Sequence, residues 1–490
     1  MINFSYSNVT NKLNNIFYNL NDNIKKTIEN TKQIKIRNRE TSFIDALLYK
    51  FEYSKVNKTK QNIVSELNIK NNKNTFANSF FYRENQIPVL VYENIYKNIS
   101  DLYKTLKNID PNEQIKVAVD GTFNNTNLNN NKKLETSLNM GFYDITNDIP
   151  IDLTFEGVNK KNNELQTLIE YLKEKKITEK TVLILDRIYC KYEFVDYLIK
   201  NNYNFVLRFR NNCKNFKNIK NIKNVRILKF FEDNTTHIAK EEYDKYIDKE
   251  IEKKRKKKAS RNVKINIEEN EEIKIKEFKS IDLTMKYEYT LLTNLNEKIY
   301  NDKQIRKIYK ERWNVEIFFK LLKYNFKFEH LCEHNKNNSS EQYKKLYYVN
   351  LIMIYLEKIL EKVYEHNNDF CNNKKIIVFK KDNDNKYIKK INKSLAIKGF
   401  YHLLPSLFNG KMTIKELINI SNNYIKYSYI KKGINKERKA KTPFFKWYVK
   451  GYSNRALLYK IIQAKLTNNI SKLNDNHIVL YNICTLKLNS

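Results

Sequence analysis

The stretch TVLILDRIYCKYEFVDYLIKNNYNFVLRFR, residues 181–210, decides how the middle of this chain folds. TVLILD is a short, unbroken apolar run that ends on Asp186, the pattern of a strand covered on both faces. KYEFVDYLIKNN carries apolar residues at three- and four-residue spacing and reads as an amphipathic helix. YNFVLRFR reads as a second strand. Strand, helix, strand predicts two parallel strands joined by a crossover helix, because parallel neighbours need a long connection. Open sheets of this kind bind ligands at the carboxyl ends of their strands, where Asp186 stands.

Upstream, IKVAVDG is a β-branched run that ends on Asp120 and a glycine. TSLNMGFYDI and IPIDLTFE follow as two further strands, joined by the tight turn TNDIP. ELQTLIEYLKEKK is then an amphipathic helix. Three strands in a meander, followed by helix, strand, helix, strand, predict an α/β layer with acids at strand ends. Downstream, residues 211–300 break the pattern with short strand-like pieces: VRILKFFE, VKINIE, EIKIKEFK and KYEYTLLTNL. They surround a basic run, IEKKRKKKASR, which a DNA backbone contact, a nuclear-localisation patch and a solvated loop all explain.

The chain has 490 residues, room for two to four domains. Residues 1–110 read as a helical region and 111–210 as the first part of the α/β core. Residues 211–300 form a β-rich insertion, 301–360 return to the core, and 361–490 are a helical C-terminal region whose most structured stretch is KAKTPFFKWYVKGYSNRALLYKIIQ. Within the first region, TKQNIVSELNIKNNKNTFANSFFYRE reads as helix, Asn-rich turn, helix. A DNA-reading helix-turn-helix and a plain helical bundle both fit it.

A formal net charge of +36 points to a polyanionic partner, most simply nucleic acid. An AT-rich genome would also inflate lysine, so the 13 arginines discriminate better. Arg187, Arg208, Arg210 and Arg312 sit in or beside the motifs described here. The five cysteines form no C-x-x-C pair, so neither a disulfide framework nor a thiolate zinc site is signalled. His330 and His334 could share a helix face but lack a second ligand pair. The most apolar stretch, YYVNLIMIYLEKIL at 347–360, is too short and too polar to span a bilayer, and no signal peptide opens the chain. A soluble, intracellular protein without membrane contact is the expectation.

The third polar feature is YKERWNVEIFFKLLK, residues 309–323. As one helix it places Tyr309, Arg312, Glu316, Lys320 and Lys323 within an arc of about 80°. From Ile317 onward nearly everything outside that arc is apolar. A strand-terminal Asp is often only a turn or cap residue. If the first and fourth strands are neighbours, however, Asp120 and Asp186 project side by side and repel unless a cation lies between them. With Glu316 as a third hard oxygen donor, the set suits Mg²⁺ or Mn²⁺. Two such ions would activate an attacking hydroxyl and stabilise a leaving 3′ oxygen.

VAVDGT, the 181–210 stretch and YKERWNVEIFFKLLK together resemble the DDE transposases of the bacterial insertion-sequence-four group. That group's signature is Tyr, two residues, Arg, three residues, Glu, six residues, Lys, which Tyr309, Arg312, Glu316 and Lys323 match without a gap. The resemblance covers about residues 115–330. It implies a ribonuclease-H-like mixed sheet interrupted by a mostly β insertion and flanked by helical N- and C-terminal regions. It also implies that Asp120, Asp186 and Glu316 are the metal-binding catalytic triad, with two Mg²⁺ ions that Mn²⁺ can replace. Tyr309, Arg312, Lys320 and Lys323, with Arg208 and Arg210, would then bind DNA. A homodimer on paired transposon ends, with double-stranded end and target DNA as partners, belongs to the same expectation. So does cut-and-paste chemistry through a DNA-end hairpin.

Some members of the group stack a flipped base on an aromatic of the insertion, a role that falls here to Tyr287 or Tyr289. The implied location is the cytoplasm, at the nucleoid, or the nucleus or a viral factory in a eukaryotic or viral host. A domesticated DNA-binding derivative, a nuclease or resolvase on the same fold, and a helical scaffold are the alternatives. The last leaves the three acids unexplained.

Overall fold

The computed structural model describes residues 5–32, 41–55, 59–71, 75–110, 113–127, 135–155, 164–174, 177, 180–209, 224–241, 243–245, 248, 252, 280–326, 328, 330–332, 339–372, 377–379, 386–429, 454–468, 470 and 484–489. The chain forms two compact units. One is Met1–Arg226 with Leu292–Lys432, and the other is Ile227–Leu291 with Gly433–Ser490.

The first unit is organised by a mixed sheet. Its main strands are β1 (Lys116–Asn127), β2 (Glu135–Asp144), β3 (Ile149–Phe155), β4 (Val182–Leu185) and β5 (Asn204–Arg208), in spatial order β3-β2-β1-β4-β5, and the short strand His330–Cys332 pairs with the far end of β1. β1, β2 and β3 form the antiparallel meander, and β4 and β5 add in parallel beside β1. A meander followed by parallel strands is the α/β layer that the sequence pattern predicts, and the order shows that the first and fourth strands are neighbours. All four residues of β4 are buried, as its unbroken apolar run requires. In the meander's second turn the Asp144 carboxylate accepts the backbone N–H groups of Thr146 and Asn147 at 2.9 and 3.1 Å. Asp148 adopts a left-handed φ of 59°, which its short polar side chain tolerates.

Helices cover both faces. Phe142 of β2 stacks on Tyr171 of the helix Glu164–Lys173, with centroids 3.9 Å apart. Its neighbour Gly141 faces the other way, as successive strand residues must. There Phe319, from the helix Trp313–Asn325, lies so close that a Cβ on Gly141 would stand 2.7 Å from Phe319 Cζ. Gly141→Ala should therefore push that helix off the sheet. A loss of about 1–3 kcal/mol of stability is expected, measured as a lower midpoint of urea unfolding.

The 34-residue helix Ser339–Asn372 packs on the helix Val89–Lys107 and on β3. Tyr355 and Tyr96 donate to the β3 carbonyls of Pro150 and Ile151 at 3.0 and 3.1 Å, joining the helical layer to the sheet edge. The N-terminal region is helical as expected. Lys60–Asn71 and Ala77–Gln86 pack on each other and on Phe43–Tyr53, and residues 72–74 of the expected turn lie outside the described residues. The C-terminal region adds a three-stranded sheet, Ile377–Phe379, Lys386–Ile391 and Ile425–Tyr429, to its helices Lys393–Phe408 and Ile414–Asn423.

The second unit is built on β6 (Arg226–Ala239) and β7 (Ser280–Thr293), which pair with each other. The C-terminal strand Cys484–Asn489 pairs antiparallel with β7. VKINIE, EIKIKEFK, Arg210 and the basic run (Glu252 apart) lie outside the described residues, as do 439–453 of the stretch singled out near the C-terminus. Its remainder forms the helix Asn454–Thr467.

The chain's return to the sheet is tightly held within the first unit. The Thr293 hydroxyl donates to the Phe205 carbonyl at 2.7 Å. The Asn294 amide accepts from Phe205 N–H and donates to the Tyr203 carbonyl, both at 2.9 Å. Arg226 then donates to the carbonyls of Leu295 and Tyr300 and to Asp302, which opens the next helix.

Candidate active site

β1 and β4 pair in the register Lys116↔Val182, Val117↔Leu183, Ala118↔Ile184. Carried two residues further, it sets Asp120 opposite Asp186. β1 does not end at Asp120, as its sequence suggests. It runs on to Asn127, because β2 continues to pair with it as far as Thr126. β4 does end, and Asp186 leaves it with extended backbone as the residue that precedes a 3₁₀ turn, Arg187–Tyr189. The Asp186 side chain makes no capping hydrogen bond, so the role of a plain cap residue does not account for it.

Glu316 comes from the far side of the insertion. Asn301 and Gln304 form a capping box that starts the helix Asp302–Glu311. The expected single helix tightens at Arg312: Arg312 N–H bonds to Tyr309 O and Val315 N–H to Arg312 O, both at 3.1 Å and three residues apart. Arg312 keeps helical torsions, and the chain continues as Trp313–Asn325. Val315, Phe318, Phe319 and Leu322 bury this helix against the sheet. Ile317, expected inside, is half-exposed, as is Trp313.

The polar residues of the first two turns converge on the strand ends. Arg312 Nη2 lies 2.7 Å from Glu316 Oε1, and Nη1 lies 3.5 Å from Asp120 Oδ2. Tyr309 is buried and donates its hydroxyl to Asp186 Oδ1 at 3.4 Å, with Arg208, at the end of β5, hydrogen-bonded to the same phenol. Asp120, Asp186, Glu316, Tyr309, Arg312 and Arg208 thus gather in one place. Lys320 turns elsewhere, with its Nζ 4.7 Å above the exposed Trp313 ring. Lys323 is half-buried further along the helix. In the second unit Tyr289 is buried and stacked on Phe230, and the Tyr287 side chain lies outside the described residues.

Burial pushes the Asp120 carboxyl up to about 7; Arg312 opposes this, and Glu316, Glu164 and Asp186 add to it. Burial would lower the Arg312 guanidinium, but Tyr309, Asp186, Asp120 and the bond to Glu316 hold it above the ordinary arginine value. Tyr309 is raised by burial and by Asp186, against Arg312 and Arg208. An acid whose folded pKa exceeds its unfolded value makes stability fall as pH rises between the two. Asp120→Asn should therefore be more stable than the wild type at pH 8, with the gap closing as pH falls from about 7 to about 4. Thermal melts across that range, without divalent metal, measure it.

The donor chemistry suits a hard divalent cation. Asp120 and Glu316 share the Arg312 guanidinium, whose buried Nη1 has no hydrogen-bond partner, and Asp186 lies beside them on the Tyr309 hydroxyl. Among the described residues no three acids, histidines or cysteines stand close enough to hold one ion as they are. Arg312 lies where Asp120 and Glu316 would close up. Sequence reasoning missed Glu164 and Tyr189, which adjoin this site; the one signal was the glycine directly after Asp120.

Residues 111–344, just under half of the chain, match the family model of the transposase DDE domain. No curated protein matches the chain in sequence. Among solved structures it is similar to the piggyBac transposase in a synaptic complex with hairpin DNA, at 11% identity over 84% of each chain with a TM-score of 0.39. No helix among the described residues is long and apolar enough to cross a membrane.

Proposed function

We propose that this chain is a transposase of the insertion-sequence-four type that cuts the ends of a DNA element and joins them to target DNA. The observation that carries the proposal is that Asp120 of β1 and Glu316 of the later helix meet on the Arg312 guanidinium, while Asp186, just past the end of the neighbouring β4, accepts the hydroxyl of Tyr309 from the turn before Arg312. The match of residues 111–344 to the transposase DDE domain supports the same reading. Asp120, Asp186 and Glu316 would hold Mg²⁺ or Mn²⁺, two ions by the family's pattern. Bound there, such a cation makes an attacking water or 3′ hydroxyl more acidic and stabilises charge on the leaving 3′ oxygen.

The chain's own residues bind and orient the DNA. Arg312 must give up Asp120 and Glu316 before they can close on a metal, which frees its fork for two oxygens of one phosphate. Tyr309 and Arg208 stand beside Asp186 to hold the next phosphate, and Lys320 and Lys323 add point charges along the helix. Water first opens one strand at the element boundary and leaves a 3′ hydroxyl. That hydroxyl attacks the opposite strand to form the hairpin, and hairpin opening and strand transfer follow. Two copies acting on paired ends complete the proposal, and the excess of positive charge suits DNA as partner.

Purified full-length protein incubated with duplexes carrying the element's terminal repeats tests it. Boundary nicking, then hairpins, then joined products are expected in Mg²⁺, and none in excess chelator. Cleavage without joining would identify a nuclease, and cleavage that persists in chelator would remove the metal from the reading.

A further inference from the structure

One carboxylate beside the site has no part in the chemistry above. Glu164 opens the helix Glu164–Lys173, and its Oε2 accepts the hydroxyl of Tyr189 at 3.2 Å. The same carboxyl group covers Gly121, where a Cβ would stand 2.6 Å from Glu164 Cδ and 2.8 Å from Oε1. Tyr189 is fully buried and closes the 3₁₀ turn that follows Asp186, while Gly121 directly follows Asp120. Glu164 therefore ties the residue after one acid to the turn after the other. A half-buried carboxylate is costly to keep unless its hydrogen bonds repay the lost water.

We propose that Glu164 is a positioning residue: by holding Tyr189 beside Gly121 it keeps Asp120 and Asp186 in the register at which both can hold one divalent cation. The inference rests on the reading of those two acids as metal ligands. Glycine is required at 121 because any side chain there would take the place of the Glu164 carboxyl. The device works through an accepted hydrogen bond, so acceptor geometry matters and negative charge does not. Glutamine at 164 keeps the acceptor and the volume, whereas alanine removes both. Tyr189→Phe removes only the donor.

The test is Mn²⁺ binding by the full-length chain, followed through the electron paramagnetic resonance of free Mn²⁺, with a thermal melt of each variant. Glu164→Ala, Tyr189→Phe and Gly121→Ala should each weaken binding about tenfold or more, as loss of an orienting partner does at other metal sites. Glu164→Gln should bind as the wild type does. Should Glu164→Ala not fold, Tyr189→Phe, one oxygen smaller than the wild type, decides. Wild-type binding in Tyr189→Phe overturns the proposal, as does a loss in Glu164→Gln equal to that in Glu164→Ala, which would make Glu164 itself a ligand. Asp120→Asn should lose binding in every case. If it does not, or if the wild type binds no Mn²⁺, the triad reading fails, and this proposal with it.

Discussion

Asp120→Ala, Asp186→Ala and Glu316→Ala are each expected to lower metal-dependent cleavage about a thousandfold or more, equivalent to about 4 kcal/mol on the barrier. DNA binding by the same variants should hold or tighten, because each change removes a negative charge from the surface proposed to accept phosphate. The three acids come from separate places: β1, the end of β4, and the helix beyond the insertion. No local feature of one segment explains why the other two should share its loss. Gel assays of nicking and joining, with binding followed by fluorescence anisotropy, separate the two effects. Wild-type cleavage by any of the three would remove that residue from the triad.

Arg312→Ala has the second large expected effect, in two opposite parts. Arg312 is mostly buried and reaches both Glu316 and Asp120, so its removal leaves two partly buried carboxylates without their cation. Breaking such a pair from one side should cost about 3 kcal/mol of stability in metal-free buffer. A divalent ion would take over the neutralising role, so Mg²⁺ should stabilise Arg312→Ala more than the wild type, in which it competes with the guanidinium. Cleavage should still fall, since the phosphate loses its bidentate partner. Differential scanning calorimetry with and without Mg²⁺ reads the first part. An equal Mg²⁺ shift in both proteins would mean that the guanidinium and the metal do not compete.

The order of the elements was legible in the chain because their signals are local. The run VLIL, the alternating strands of the meander and the three-four spacing around Tyr192–Lys200 each report burial of one segment by its own side chains. The polar stripe of Tyr309, Arg312 and Glu316 was legible for the same reason, as the helical period alone groups them. One expectation on that helix did not survive packing: Ile317 is half-exposed, because the tightening at Arg312 and the contact of Phe319 with Gly141 fix which side meets the sheet. Lys320, on the same stripe, lies over the Trp313 ring.

By itself, the sequence determined a mixed α/β sheet with acids near two strand ends and a third acid on a later helix, since period and spacing belong to single segments. It took the folded chain to pair β1 with β4 so that Asp120 and Asp186 lie just beyond the same register, to bridge Asp120 and Glu316 through Arg312, and to rest Glu164 over Gly121. Those relations join residues far apart along the chain. They depend on how strands pair and how closely backbones approach, and neither leaves a trace in the spacing of any one segment.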